Sequence, residues 1–208
     1  MTGWEPVARV AVSRDRIVRA ATAIVDAHGV EALSMRGLAT ELGVTAMALY
    51  RHVGSRDALL VAVLDEISER IVHPELPADP VERAVTVLVA LRAFLVAHPW
   101  VLRLVVGGHW SSRRGLWFQD AVLAAGRDAG LDDAGAVASY TSLWQMTVGE
   151  VEFETARRSG PPGPGWAAAL DGAREDELAT VRELAPRWPD LAAPFEQRLR
   201  RVVAALYR

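Results

Sequence analysis

The chain of 208 residues has no cysteine, and all 23 of its basic residues are arginine, so lysine is missing too. Without cysteine there is no disulfide framework, thiolate metal site or cysteine nucleophile. This fits a reducing compartment, and a cytoplasmic location is expected. No G-x-S-x-G elbow, P-loop or H-E-x-x-H signature occurs, so an enzyme is not expected. Residues 1–12 are mixed, with no apolar segment behind a basic start, so no secretory signal is expected. The most apolar stretch, Ala84 to Gly108, is interrupted by Arg92, His98, Pro99 and Arg103. A membrane span needs about 20 predominantly apolar residues, so two buried helices and no membrane partner are expected. Hydrophobic residues at 51% and charged residues at 24% exclude a disordered chain.

What remains is helical periodicity, with no sustained strand alternation. Ile17, Ala20, Ala21, Ile24 and Val25 lie on one face of a helix over about 14–28, with Ser13 as its cap and Gly29 as its stop. Ser34 caps a second helix that turns Met35, Leu38, Ala39 and Leu42 inward and ends at Gly43. Thr45 caps a third, with Leu49 and Val53 buried and Gly54 as its end. Ser55 opens a fourth, with an apolar stripe running from Leu59 to Ile71 and a reach of 55–72. The run HPELPADP, 73–80, stops that helix. Further helices are expected near 81–97, 99–107, 113–129, 132–157, 168–184 and 190–207, with a loop at RSGPPGPGW, 158–166. The fold class is all-α.

Charge is uneven along the chain. Residues 1–56 hold seven arginines against five acids, a net of +2, which leaves −5 for the rest of a chain whose total is −3. A slightly basic front on an acidic body suits a small nucleic-acid head on a larger body. Gly43 permits a tight turn between helices two and three. Val44 can plug the angle, and Ala39 is small where helix three must cross. Such a hairpin presents a short helix of the size that fits the major groove. On spacing alone, an ordinary helical hairpin fits equally well.

The ordered features across residues 20–67 narrow the choice. They comprise the Gly29 turn, Ser34–Met35–Arg36–x–Leu38–Ala39, Leu42–Gly43–Val44, Leu49–Tyr50–Arg51–His52–Val53, and Arg56 before Leu59–Leu60. Together they resemble the N-terminal domain of the tetracycline-repressor (TetR) family. The resemblance implies a three-helix helix-turn-helix DNA-binding domain followed by a helical ligand-binding and dimerisation domain. It implies that Tyr50 meets a phosphate and that His52 can touch one. Arg56 takes the place of the family's lysine, a phosphate anchor. Arg36 falls where a side chain reaches a base edge, with the guanine O6/N7 pair as the match for arginine. Thr45, Ala46, Met47 and Ala48 form the first turn of the reading helix. Alanine and methionine are poor hydrogen-bonding readers, and their methyl groups suit thymine C5-methyl contacts.

The second half resembles the family more loosely. GGHWSS, 107–112, and MTVGEVEFE, 146–154, are similar to the tetracycline repressors proper. On that alignment His109 takes the place of their ligand- and metal-binding histidine, but Phe153 stands where an acidic metal ligand would be. No metal or other cofactor is expected. Trp110, Trp117, Phe118, Trp144 and Phe153 cluster along the sequence, and with Leu91 and Leu95 they can line a pocket for a flat apolar effector. The same aromatics can instead fill a core. Family resemblance also implies a homodimer, with Val137, Thr141 and Val148 on one helix and Phe195, Leu199, Val202 and Leu206 on the last as its interface.

The expected organisation is a DNA-binding domain at 1–56, a connecting helix and proline-rich linker at 57–80, and a ligand-binding and dimerisation domain at 81–208. The expected function is a ligand-responsive transcriptional regulator, a homodimeric repressor released from a palindromic double-stranded DNA operator by a small aromatic effector. The alternative is an architectural or protein-binding helical module without an effector.

Overall fold

Ser13, Ser34, Thr45 and Ser55 each accept a hydrogen bond from the backbone N–H three residues ahead, on Arg16, Gly37, Ala48 and Ala58. Each satisfies a donor that a helix start leaves unpaired. A computed structural model describes residues 12–106, 112–160, 165–171, 173–174 and 177–208. The helices that begin at these caps are α1 (Arg14–His28), α2 (Met35–Leu42), α3 (Ala46–Val53) and α4 (Arg56–Ser68). They are followed by α5 (Pro80–Ala97), α6 (Pro99–Val105), α7 (Leu116–Asp128) and α8 (Asp133–Ser159). Next come α9 (Gly165–Leu170), α10 (Ala179–Leu184), α11 (Trp188–Leu191) and α12 (Phe195–Leu206). No strand occurs among the described residues, and the fold is all-α.

The chain forms two compact units. The first holds Met1–Ile71 together with Trp100–Leu116. In it α1 buries Ile17, Val18, Ala21 and Val25 and packs against α4, which buries Leu59, Leu60, Val63, Leu64 and Ile67. α2 lies on α1 and α3, with Met35, Leu38 and Ala39 inward. The second unit holds Val72–Pro99 and Trp117–Arg208. Here α5, α8 and α12 pack on one another, burying Leu88, Leu91 and Leu95, Leu143 and Val151, and Phe195, Leu199 and Val203. In the structure the fourth helix packs with α1, and the described residues 100–106 and 112–116 group with the same unit.

Three elements differ most from their expected spans. α4 ends at Ser68, ahead of the prolines, and not near 72. The helix expected over 168–184 is broken into α9 and α10, and Leu178 before α10 has φ +56°. The last helix starts at Phe195 because Pro189 and Pro194 confine the residues before it to the short α11 and an extended link. Among the described residues, no single helix is long and apolar enough to cross a membrane.

Charged surface contacts bind the helices of the second unit. Arg200 grips Glu82 of α5 with Nε at 2.7 Å and Nη2 at 3.0 Å. This bidentate hydrogen bond holds the Glu82 carboxyl below its ordinary value. Arg198 pairs with Glu150 at 2.5 Å, and Arg92 pairs with Glu154, which Arg158 also holds at 2.5 Å. Tyr207, at the end of α12, donates its hydroxyl to the Val122 carbonyl of α7 at 3.2 Å.

Candidate nucleic-acid interface and effector body

The turn between α2 and α3 is built on Gly43, at φ +69° and ψ +31°. Its N–H donates to the Thr40 carbonyl at 3.2 Å, and the Val44 N–H donates to the Ala39 carbonyl at 3.0 Å. This pairing closes the end of α2 and aims the chain into the Thr45 cap. α3 then splits by face. Leu49 and Val53 are buried against the rest of the unit. Met47 is 71% exposed and Tyr50 43%, and Thr45, Arg51 and His52 are exposed as well. Ala46 and Ala48 are half-buried. α3 ends at Gly54, whose φ of +77° and ψ of −65° turn the chain into α4.

Arg36 is exposed on the first turn of α2. Arg56 is arranged differently from a free phosphate anchor. It is half-buried, and its Nε–H and Nη2 donate to the carbonyls of Leu33 and Val30, each at 3.1 Å. The remaining predicted DNA-facing residues, Arg36, Thr45, Ala46, Met47, Ala48, Tyr50 and His52, lie on the α2–α3 hairpin.

The described residues expected to hold an effector lie on α5, α7 and α8 of the second unit. Leu91 and Leu95 lie on the buried stripe of α5, and Phe118 is buried on α7. The Trp117 ring lies 4.2 Å from His73 and 4.9 Å, edge-on, from Phe118. Trp144 is half-buried on α8. Phe153 requires correction: it is 70% exposed on the outer side of α8, away from the apolar interior of its unit. His109 and Trp110 lie outside the described residues. The donors do not suit the metal of the tetracycline repressors proper. Phe153 offers no oxygen, and Glu150 and Glu154 are held by arginines.

Two interface expectations are also corrected. Phe195 and Leu199 belong to the interior of their own unit: Leu199 is 0% exposed, and Phe195 lies beneath the guanidinium groups of Arg92 and Arg198. Both face α5 and α8, so the apolar stripe of α12 is used within the chain. Val137 and Thr141 are exposed on α8, while Val148, Val202 and Leu206 are half-buried.

A polar junction in the first unit has no signal in the local sequence. Asp26 receives hydrogen bonds from Trp100 and Arg70. The Ser68 and Ser112 hydroxyls are 3.4 Å apart, and Arg114 pairs with Glu69 at 2.8 Å. These partners are up to 74 residues apart, and local spacing carries no sign of them.

Known proteins show the same organisation. Residues 17–63 match the family "Bacterial regulatory proteins, tetR family", and residues 73–200 match "Tetracyclin repressor-like, C-terminal domain". The transcriptional repressor DrrR1 of Streptomyces coeruleorubidus is 32% identical over 153 residues, which is 70% of this chain and 57% of that protein. A transcriptional regulator of Saccharopolyspora erythraea is 31% identical over 149 residues, 71% of this chain and 63% of that one. The chain thus matches less than two thirds of the length of these relatives. The apo structure of ActR from Streptomyces coelicolor aligns over 95% of this chain and 96% of its own, with a TM-score of 0.77 and 28% identity. ActR bound to actinorhodin aligns over 94% and 96%, with a TM-score of 0.75 and 28% identity. BioQ bound to its double-stranded DNA operator aligns over 71% of this chain and 90% of its own, with a TM-score of 0.61 and 32% identity. With both family models matched across most of its length, the chain belongs to the TetR family of bacterial regulatory proteins.

Proposed function

We propose that this protein is a cytoplasmic, ligand-responsive repressor that binds a palindromic operator as a homodimer and is released from it by a small aromatic effector. The observation that carries this reading is the α2–Gly43–α3 hairpin, with Met47 and Tyr50 exposed on the face opposite Leu49 and Val53. α3 enters the major groove, and Arg36 reaches a guanine edge. Ala46, Met47 and Ala48 meet thymine methyl groups, while Thr45, Tyr50 and His52 meet the backbone. A two-fold dimer sets two such helices in successive grooves, about 34–36 Å apart. The exposed residues Val137 and Thr141 of α8 contribute to pairing. The operator complex of BioQ supports the DNA reading.

The body takes the effector beside the α5 stripe of Leu91 and Leu95, with Trp117, Phe118 and Trp144 as aromatic walls. The actinorhodin complex of ActR supports this choice of ligand chemistry. The effector releases DNA only to the extent that it binds the released conformation more tightly than the DNA-bound one.

Selection of bound DNA from a random pool, followed by titration with actinorhodin, tests the reading. An inverted repeat whose affinity falls as actinorhodin is added is the expected result. Recovery of DNA without sequence preference, with a steep salt dependence, would favour an architectural module instead.

A further inference from the structure

We infer that Arg56 is a positioning residue that clasps the helix-turn-helix shut, in contrast to a side chain that anchors it to a phosphate. Its Nε–H reaches the Leu33 carbonyl and its Nη2 the Val30 carbonyl, each at 3.1 Å, across 23 and 26 residues of chain. Leu33 immediately precedes Ser34, the cap of α2, and Arg56 opens α4 just after Gly54 ends α3. Residues 34–55, the whole of α2, the glycine turn and α3, therefore lie inside a loop closed by this one side chain.

The chemistry suits arginine. The planar guanidinium presents two N–H directions at once and so spans two carbonyls, which the single point of a lysine ammonium cannot do in a fixed geometry. Among the described residues no carboxylate pairs with Arg56, so two carbonyl dipoles take its hydrogen bonds while its charge is kept. The Ser34 hydroxyl, next to Leu33, accepts from Gly37, so consecutive residues fix the start of α2 from both sides. Arg36 lies on that first turn. The clasp therefore fixes where Arg36 stands relative to Tyr50 across the turn, and a head ordered in advance binds DNA without an ordering penalty. This rests on the reading of α3 as the DNA-reading helix.

The experiment uses the full chain carrying Arg56→Lys or Arg56→Gln, the operator recovered from the random pool, and a range of salt concentrations. A clasp predicts that Arg56→Lys loses roughly tenfold in operator affinity, as expected for two lost charge-assisted hydrogen bonds partly replaced. The slope of log affinity against log salt stays at the parent value because the charge count is unchanged. Arg56→Gln falls within about twofold of Arg56→Lys. Hydrogen exchange without DNA is the second measurement. In Arg56→Lys, amides of residues 30–37 exchange faster, while the interior of α1 exchanges at the parent rate.

An anchor predicts the opposite pattern. Arg56→Lys would bind like the parent, and Arg56→Gln alone would weaken binding and lower the salt slope by about 0.9. That result overturns the clasp, as would faster exchange throughout α1 in Arg56→Lys, since the effect would then be global. If the parent recovers no DNA, the reading of α3 fails, and the exchange measurement alone decides the clasp.

Discussion

Asp26 accepts the indole N–H of Trp100 at 2.7 Å, and its other oxygen accepts from Arg70 at 3.0 Å. α1, the start of α6 and the residue two beyond α4 therefore meet at one carboxylate. Trp100 is 6% exposed, so its N–H has little access to water as a substitute. Asp26→Ala leaves that donor unpaired and is expected to cost about 1–3 kcal/mol, measured by urea unfolding. Asp26→Asn keeps an acceptor for the indole and is expected to lose less. Equal losses would show that the ion pair with Arg70 dominates.

The two glycines that bound α3 are expected to respond differently to asparagine. Gly43 lies in the left-handed region, which asparagine tolerates, so Gly43→Asn costs little and Gly43→Val costs about 1–2 kcal/mol. Gly54 combines φ +77° with ψ −65°, outside that region, so Gly54→Asn is expected to destabilise as much as Gly54→Val. Nothing lies within 4 Å of a Cβ built at either position, so the difference is conformational and not steric crowding. Thermal unfolding of the four variants distinguishes the sites.

On the exposed face of α3, Met47→Ala is expected to change preference at one base pair, by about 1 kcal/mol, through loss of a methyl contact. Tyr50→Phe is expected to weaken binding to every sequence alike, because a phosphate contact carries no base information. Binding to a library of single-base operator variants separates the two effects. An operator with no thymine beneath α3 would remove the basis for the first.

Core and surface substitutions in the second unit should part in the same way. Leu199→Ala is expected to cost about 2–5 kcal/mol of folding stability, as other buried leucines do. Val137→Glu, on the exposed face of α8, is expected to leave the fold intact and to shift sedimentation from dimer to monomer. A Val137→Glu protein that still sediments as a dimer would move the interface elsewhere.

Tyr207 supplies an alkaline limit. Burial pushes its phenol up to about 12, with the charge of Arg83 opposing part of the rise. Folding thus favours the protonated phenol. The stabilisation is complete below the unfolded value near 10 and is lost as pH rises from there through about 12. Tyr207→Phe is expected to flatten this part of the stability profile, as followed by circular dichroism between pH 9 and 12.

The head was legible because its signals are local. Ser13, Ser34, Thr45 and Ser55 act on N–H groups three residues away, and Gly43 and Gly54 act at their own dihedrals, so each is readable within one turn of chain. The long-range partners had no such trace. Nothing near Arg56 points to carbonyls 23 and 26 residues earlier, and nothing near Asp26 points to Trp100. Phe195 and Leu199 illustrate a second limit. Periodicity marks an apolar stripe, but it does not say whether that stripe meets its own chain or a copy. Phe153 is the converse case, an aromatic side chain that an alignment drew inward and that the pitch of α8 turns outward. The break between α9 and α10 had only weak signals, since alanine and leucine occur on both sides of it.

The arginine–carboxylate contacts joining α5, α8 and α12 bear on temperature. Hydration of charged groups becomes less favourable on heating, so the penalty for holding Arg92, Arg198 and Arg200 against Glu154, Glu150 and Glu82 shrinks as hydrophobic stabilisation levels off. Concentrated chloride acts in the other direction, by screening pairs that remain partly open to water. The helices of the second unit are thus expected to hold together better in warm, dilute surroundings than in brine.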